Sequence, residues 1–131
     1  MFNFEKLEVW HKAVSFADLV YSITHTFPPA ERFGLTNQIR RAAVSIASNI
    51  AEGSSRSSKV DFCRFIEIAA GSVFEVVSQA TIAKRQKLVS ATDYQRLYAA
   101  AQEQSRMLSG LRKSLQAVRG DRSQLSTLNP V

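Results

Sequence analysis

From Lys59 to about Lys87 the chain places Phe62, Phe65, Ile66, Ala69, Val73, Val76, Val77, Ala80 and Ala83 at helical spacing, with no proline in between. A helix over that span is roughly 40 Å long. Such a rod cannot bury its apolar stripe alone, so the rest of the chain must supply helices of comparable length to cover it. Glycine and proline are scarce throughout, 5 and 3 among 131 residues, and most fall between periodic stretches. That is the pattern of an all-α chain.

Three further helices can be read around the long one. The first runs from about Phe4 to Thr26, with Leu7, Trp10, Val14, Ala17 and Tyr21 on one face. Asn3 is its expected cap, and Phe27-Pro28-Pro29 stops it. A connector, AERFGL, offers Gly34 for a turn and Phe33 and Leu35 as anchors. The second helix starts at Thr36, carries Ile39, Ala42, Ala43, Ile46 and Ile50, and is expected to end at Gly53 as a C′ residue. Its many small residues make it narrow.

Ser58 through Asp61 has capping-box geometry for the start of the long third helix, and Thr92 through Gln95 has it for the fourth. Leu97, Ala101, Leu108, Leu111, Leu115 and Val118 form the fourth helix's apolar face, and Gly120 is the expected end. The spacing therefore predicts an up-and-down antiparallel four-helix bundle over residues 1–119 with a flexible tail over 120–131. At this length a single domain buries roughly two thirds of its unfolded surface.

The stretch from Ser45 to Arg56, SIASNIAEGSSR, holds two polar residues on or beside the expected buried face, Asn49 and Glu52. Gln38, Arg41, Ser45, Asn49 and Glu52 form a polar stripe on helix 2, and Arg64, Glu67, Gly71 and Glu75 form another on helix 3. An acid and base pair of Glu52 and Glu75 is the catalytic reading. The structural reading, preferred here, has Asn49 and Glu52 bonding backbone or helix 3 groups, with Gly53, Gly71 and Glu75 as further structural positions.

Other chemistry lacks its residues. A di-iron bundle needs Glu-x-x-His motifs, which do not occur, and His11 and His25 lie about 21 Å apart along one helix. No metal or other cofactor is expected. Cys63, the only cysteine, has no histidine near it in sequence and is read as a buried or boundary residue. No nucleophile elbow, P-loop or dinucleotide fingerprint is present. The expectation is a protein that is not an enzyme.

Charge points elsewhere. The formal net charge is +6, and from Lys84 to Arg122 there are nine basic residues against three acidic ones. Such an excess favours an acidic partner such as RNA or DNA. The expected phosphate contacts are Arg40, Arg41, Arg56, Lys59, Lys84, Arg85 and Lys87, although cations in the last turn of a helix also complement its dipole. No stretch is apolar enough to span a bilayer. The opening MFNFEKLEVW lacks a basic region before an apolar run, and with the single cysteine this points to a soluble protein of the cytoplasm.

Taken in order, Leu7-Glu8-Val9-Trp10, Phe27-Pro28 with Glu31, Phe33-Gly34-Leu35, Gln38-Ile39-Arg40-Arg41-Ala42, Ser45-Ile46, Asn49-Ile50-Ala51-Glu52-Gly53 and Ala70-Gly71-Ser72 with Glu75 resemble the bacterial four helix bundle protein family. Its members are often called 23S rRNA intervening sequence proteins. The resemblance covers about residues 4 to 118. It implies a left-handed up-and-down bundle that assembles as a ring-shaped homopentamer, and for most members no activity is established. It also implies kinship with the accessory variability protein of diversity-generating retroelements, a basic pentamer that binds a reverse transcriptase and nucleic acid. The expected function is nucleic-acid binding by an oligomeric scaffold; the alternative is a scaffold that recruits a protein partner. Trp10, Phe16 and Tyr21 of helix 1 are the expected subunit contact.

Overall fold

The computed structural model describes residues 1–124, with side chains described through residue 117. Four helices, α1 (Glu8–Thr24), α2 (Leu35–Ser54), α3 (Lys59–Arg85) and α4 (Ala91–Gln124), account for most of it, and no strand occurs among the described residues. α2 lies between α1 and α3, and α4 closes the square by packing on both α3 and α1. Every neighbouring pair is antiparallel. Thr24 near the end of α1 meets Arg40 near the start of α2, Ser45 meets Ser72, Thr81 meets Tyr94, and Val9 meets Gln104.

The buried residues explain this packing. In α1 they are Val9, Ala13, Phe16, Val20, Ile23 and Thr24; in α3 they are Cys63, Ile66, Ala69, Ser72, Val73, Val76, Ala80 and Ala83. Steps of three and four residues keep a narrow stripe facing the bundle axis, the arrangement that favours shallow helix crossings of about 20°. Ile39, Ile46 and Ile50 of α2 and Leu97 and Leu108 of α4 are almost wholly buried. Each such side chain contributes about 1.5–3 kcal/mol of transfer free energy. Gln104 occupies one core position of α4, where its Nε2 donates to the Val9 carbonyl at 3.4 Å across the seam with α1.

Several boundaries differ from the sequence expectation. Asn3 does not cap α1. Residues Asn3–Lys6 form a short 3-10 turn instead, with Leu7 at the N-cap of α1. The Glu5 carboxylate accepts the Phe2 N–H at 2.8 Å, and the Phe4 ring packs on Trp10 at 4.8 Å. The segment therefore folds back onto α1 through apolar contact. Trp10 is half-buried there and Phe16 lies in the core, which leaves Tyr21 as the exposed member of the expected helix 1 contact.

Half of the expected capping box of α3 forms: Ser58 Oγ accepts the Asp61 N–H at 3.0 Å, while the Asp61 carboxylate accepts from Arg64 at 3.1 Å. α4 instead starts two residues early. Ser90 accepts the Asp93 N–H at 3.0 Å, so Ser90-Ala91-Thr92-Asp93 is the start and Thr92 already lies within the helix. α4 also passes the expected stop at Gly120 and runs to Gln124; residues 125–131 of the expected tail lie outside the described residues.

α3 ends in a Schellman arrangement. The Leu88 N–H donates to the Ala83 carbonyl at 2.9 Å and the Lys87 N–H to the Lys84 carbonyl at 3.0 Å. Lys87 takes the left-handed conformation, φ 64°, at the position where glycine is usual. A Cβ disfavours that region. Lys87→Gly should therefore stabilise the fold by about 0.5–1 kcal/mol, read as a raised midpoint of denaturant unfolding.

Candidate nucleic-acid interface

Antiparallel packing sorts the seven expected basic residues to the two ends of the bundle. Lys59 and Lys84 share α3 but are separated by about 37 Å along it, so the seven do not form one surface within a protomer. Arg40 and Arg41 belong to the end formed by the start of α2, and Lys84, Arg85 and Lys87 belong to the same end through the close of α3. Arg56 and Lys59 lie at the other end.

The two ends differ in charge neutralisation. Arg56 donates to Glu52 Oε2 at 2.8 Å and lies over the Phe65 ring at 4.7 Å. Its neighbours Arg64 and Arg112 are likewise paired, with Asp61 at 3.1 Å and Glu67 at 3.6 Å. At the opposite end Arg32, Arg40, Arg41, Lys84, Arg85 and Lys87 have no carboxylate partner among the described residues. Asp93 is engaged by Arg96 at 3.0 Å. These six form the larger group of unpaired cations; Lys6, Lys59 and Lys113 toward the other end also lack a carboxylate partner among the described residues.

Each cation of that pole is placed by ordinary helix physics. Arg40 Nε donates to Thr24 Oγ1 at 2.8 Å, its guanidinium lies 4.4 Å from the Tyr21 ring centre, and the last turn of α1 favours the charge there. Arg41 follows it on the exposed side of α2. Lys84 Nζ sits 4.8 Å from the Tyr94 ring centre, and Arg85 and Lys87 extend into solvent. Between the end of α1 and the start of α2 runs an open groove bordered by Arg32, Arg40 and Arg41.

The loop at this groove differs from the sequence expectation. Phe33, expected as an anchor, is 87% exposed, and Arg32 beside it has its guanidinium 5.7 Å from the Phe33 ring centre. Leu35 is the half-buried residue that holds the connector. Neither Arg32 nor Phe33 stands out in the sequence as a site residue. The only available signal is an aromatic directly beside an arginine in a loop next to Arg40-Arg41.

The five structural positions resolve individually. Asn49 Nδ2 donates to the Ser45 carbonyl at 2.8 Å and to Ser45 Oγ at 2.9 Å, and Ser45 Oγ also accepts from Ser72 Oγ at 3.0 Å. Asn49 is thereby linked to α3 through Ser45. Glu52 is exposed and pairs with Arg56 rather than with α3. An exposed pair of this kind contributes less than about 1 kcal/mol.

Gly53 is buried inside α2 with no positive φ, so it is not the expected C′ residue. A Cβ there would lie 2.7 Å from Phe65 Cβ and 2.9 Å from Phe62 Cδ1. Its role is to let α2 approach α3. Gly71 is exposed and a Cβ there meets nothing within 4 Å, while Glu75 has no ion-pair partner among the described residues. Because Phe65 is level with Gly53, Glu75 lies about 15 Å further along α3. Glu52 and Glu75 are therefore too far apart to exchange a proton.

Cys63 is buried, with Sγ 3.9 Å from the Arg112 carbonyl oxygen. No three His, Cys, Asp or Glu side chains gather to hold a metal ion among the described residues, and no described helix is long and apolar enough to cross a membrane.

These features define an all-helical protein of four antiparallel helices with an unneutralised cationic pole. The chain belongs to the 23S rRNA-intervening sequence protein family, whose sequence profile matches residues 5–110. Among solved structures it is similar to a protein of unknown function from the S23 ribosomal protein family of Bacteroides thetaiotaomicron. That similarity has a TM-score of 0.73 at 24% identity, covering 80% of this chain and 95% of the other. At that identity the likeness establishes the shared fold. No curated protein matches the chain.

Proposed function

We propose that this protein is a non-enzymatic oligomeric scaffold of the cytoplasm that binds RNA or another nucleic acid through the cationic pole of each protomer. The observation that carries this reading is the set of cations at the start of α2 and the end of α3 that lack carboxylate partners. Phosphates are the ligands such a pole attracts most strongly, and repetition of the pole in an oligomer adds weak contacts by avidity.

Assembly has its own support. The outer side of α3 exposes Ile68 at 48%, Phe74 at 69% and Ile82 at 49%, and beside them Gly71 leaves room for close approach by another backbone. Although Glu75 and Ser78 interrupt it, this row of exposed apolar side chains suits a protein contact. We assign it to a second copy of the chain, within a left-handed bundle repeated around a ring of five as the family resemblance implies. The same stripe favours the second reading, in which the scaffold recruits a different protein and binds no nucleic acid.

Light scattering and RNA titration separate the two. The first reading expects a mass above the protomer, a further increase with RNA, and affinity that falls about 50-fold between about 50 and 200 mM salt if four phosphates of a single strand are contacted. Absence of RNA retention at low salt, with stoichiometric capture of one protein after nuclease treatment, would establish the second.

A further inference from the structure

We infer that the groove between the end of α1 and the start of α2 is a site for one unstacked nucleotide of a single-stranded nucleic acid, with Phe33 stacking on the base and Arg40 and Arg41 holding the adjoining phosphates. The inference rests on the nucleic-acid reading above and adds to it a location, a strand type and an aromatic residue.

Phe33 is the first reason. It is the most exposed aromatic side chain of the described residues, yet its backbone is held rather than loose. The Pro29–Glu31 3-10 turn precedes it, the Arg32 N–H donates to the Pro29 carbonyl at 3.1 Å, and the Gly34 N–H donates to the Glu31 carbonyl at 3.0 Å. An apolar ring held out in water on a hydrogen-bonded turn is a stacking platform whose backbone loses little entropy on binding.

The walls of the groove are the second reason. Arg40 is immobilised by Thr24 and Tyr21, whereas Arg32 and Arg41 are exposed and adjustable, and no carboxylate lines the groove. Its volume is about 750 Å³, within the range of nucleotide-sized ligand sites.

Base faces in a duplex are already stacked on one another, so an aromatic platform selects for unpaired bases. Arginines beside it supply the phosphate attraction, which every nucleic acid shares. The combination therefore distinguishes strand type, not sequence.

Fluorescence anisotropy with a labelled oligouridylate and an RNA duplex of the same length tests the site on the full chain. Phe33→Ala is expected to weaken binding of the single strand about tenfold while leaving its salt slope unchanged, because stacking releases no counterions. Phe33→Trp should restore the affinity. Arg41→Ala should instead reduce the slope by about 0.7. Duplex binding should not respond to Phe33→Ala. Because Phe33 is exposed, the variant should melt as the parent does. Unchanged single-strand affinity in Phe33→Ala would overturn the site while leaving RNA binding standing. A parent protein that binds neither RNA at low salt would overturn the site together with the broader reading.

Discussion

Replacing Gly53 by alanine is expected to destabilise the bundle by about 1–2 kcal/mol, and by valine by about 3 kcal/mol or more, although both residues form helix better than glycine. The close approach decides the sign. Phe65 Cβ, 2.7 Å from the added carbon, is fixed to the α3 backbone and cannot rotate away, and Phe62 closes the other side at 2.9 Å. α2 and α3 would have to part at Phe62 and Phe65, about 10 Å along the seam from the Ser45–Ser72 hydrogen bond. Gly110→Ala in α4 is the control, since a Cβ there meets nothing within 4 Å and the intrinsic preference should raise stability by about 0.5–1 kcal/mol. Denaturant midpoints of the three variants beside the parent measure the difference. A Gly53→Ala protein as stable as Gly110→Ala would refute the close-packing role.

The second large effect is on binding. The triple variant Arg41→Ala, Lys84→Ala, Arg85→Ala is expected to lose about 100-fold in RNA affinity at low salt, because each phosphate contact removed forfeits its counterion release. None of the three side chains is buried, so the fold should survive, with a modest loss from the dipole partners at the end of α3. Arg56→Ala, Lys59→Ala at the other end should cost only about threefold. Glu52 already neutralises Arg56, and a neutralised cation displaces few counterions.

Periodicity alone revealed the four helices, the span of α3 and the Ser58 cap, because these depend on residues near one another in sequence. The core positions Ile39, Ile46 and Ile50 followed from the same three-and-four spacing. Gly53 was legible as special but its reason was not. A glycine near a helix end reads as a left-handed stop, and only the partner helix shows that Phe62 and Phe65 exclude a side chain. Ser90 and Thr92 both offer a capping pattern, and the choice of Ser90 depends on where α4 must begin to meet α3. Phe33 was misplaced because an apolar residue is read by default as core. The division of the cations between two poles, and the pairing of Arg112 of α4 with Glu67 of α3, required the antiparallel arrangement itself, whereas the Arg56–Glu52 and Arg64–Asp61 pairs are local to one stretch of chain.

The most direct test of the cationic pole as the nucleic-acid site is the salt slope of RNA binding in the parent and the two pole variants, measured by filter binding from about 50 to 200 mM salt. The account predicts a steep slope in the parent, a reduction of about 2 in Arg41→Ala, Lys84→Ala, Arg85→Ala, and little change in Arg56→Ala, Lys59→Ala. Identical slopes in all three proteins, or a loss confined to the Arg56 and Lys59 variant, would contradict it.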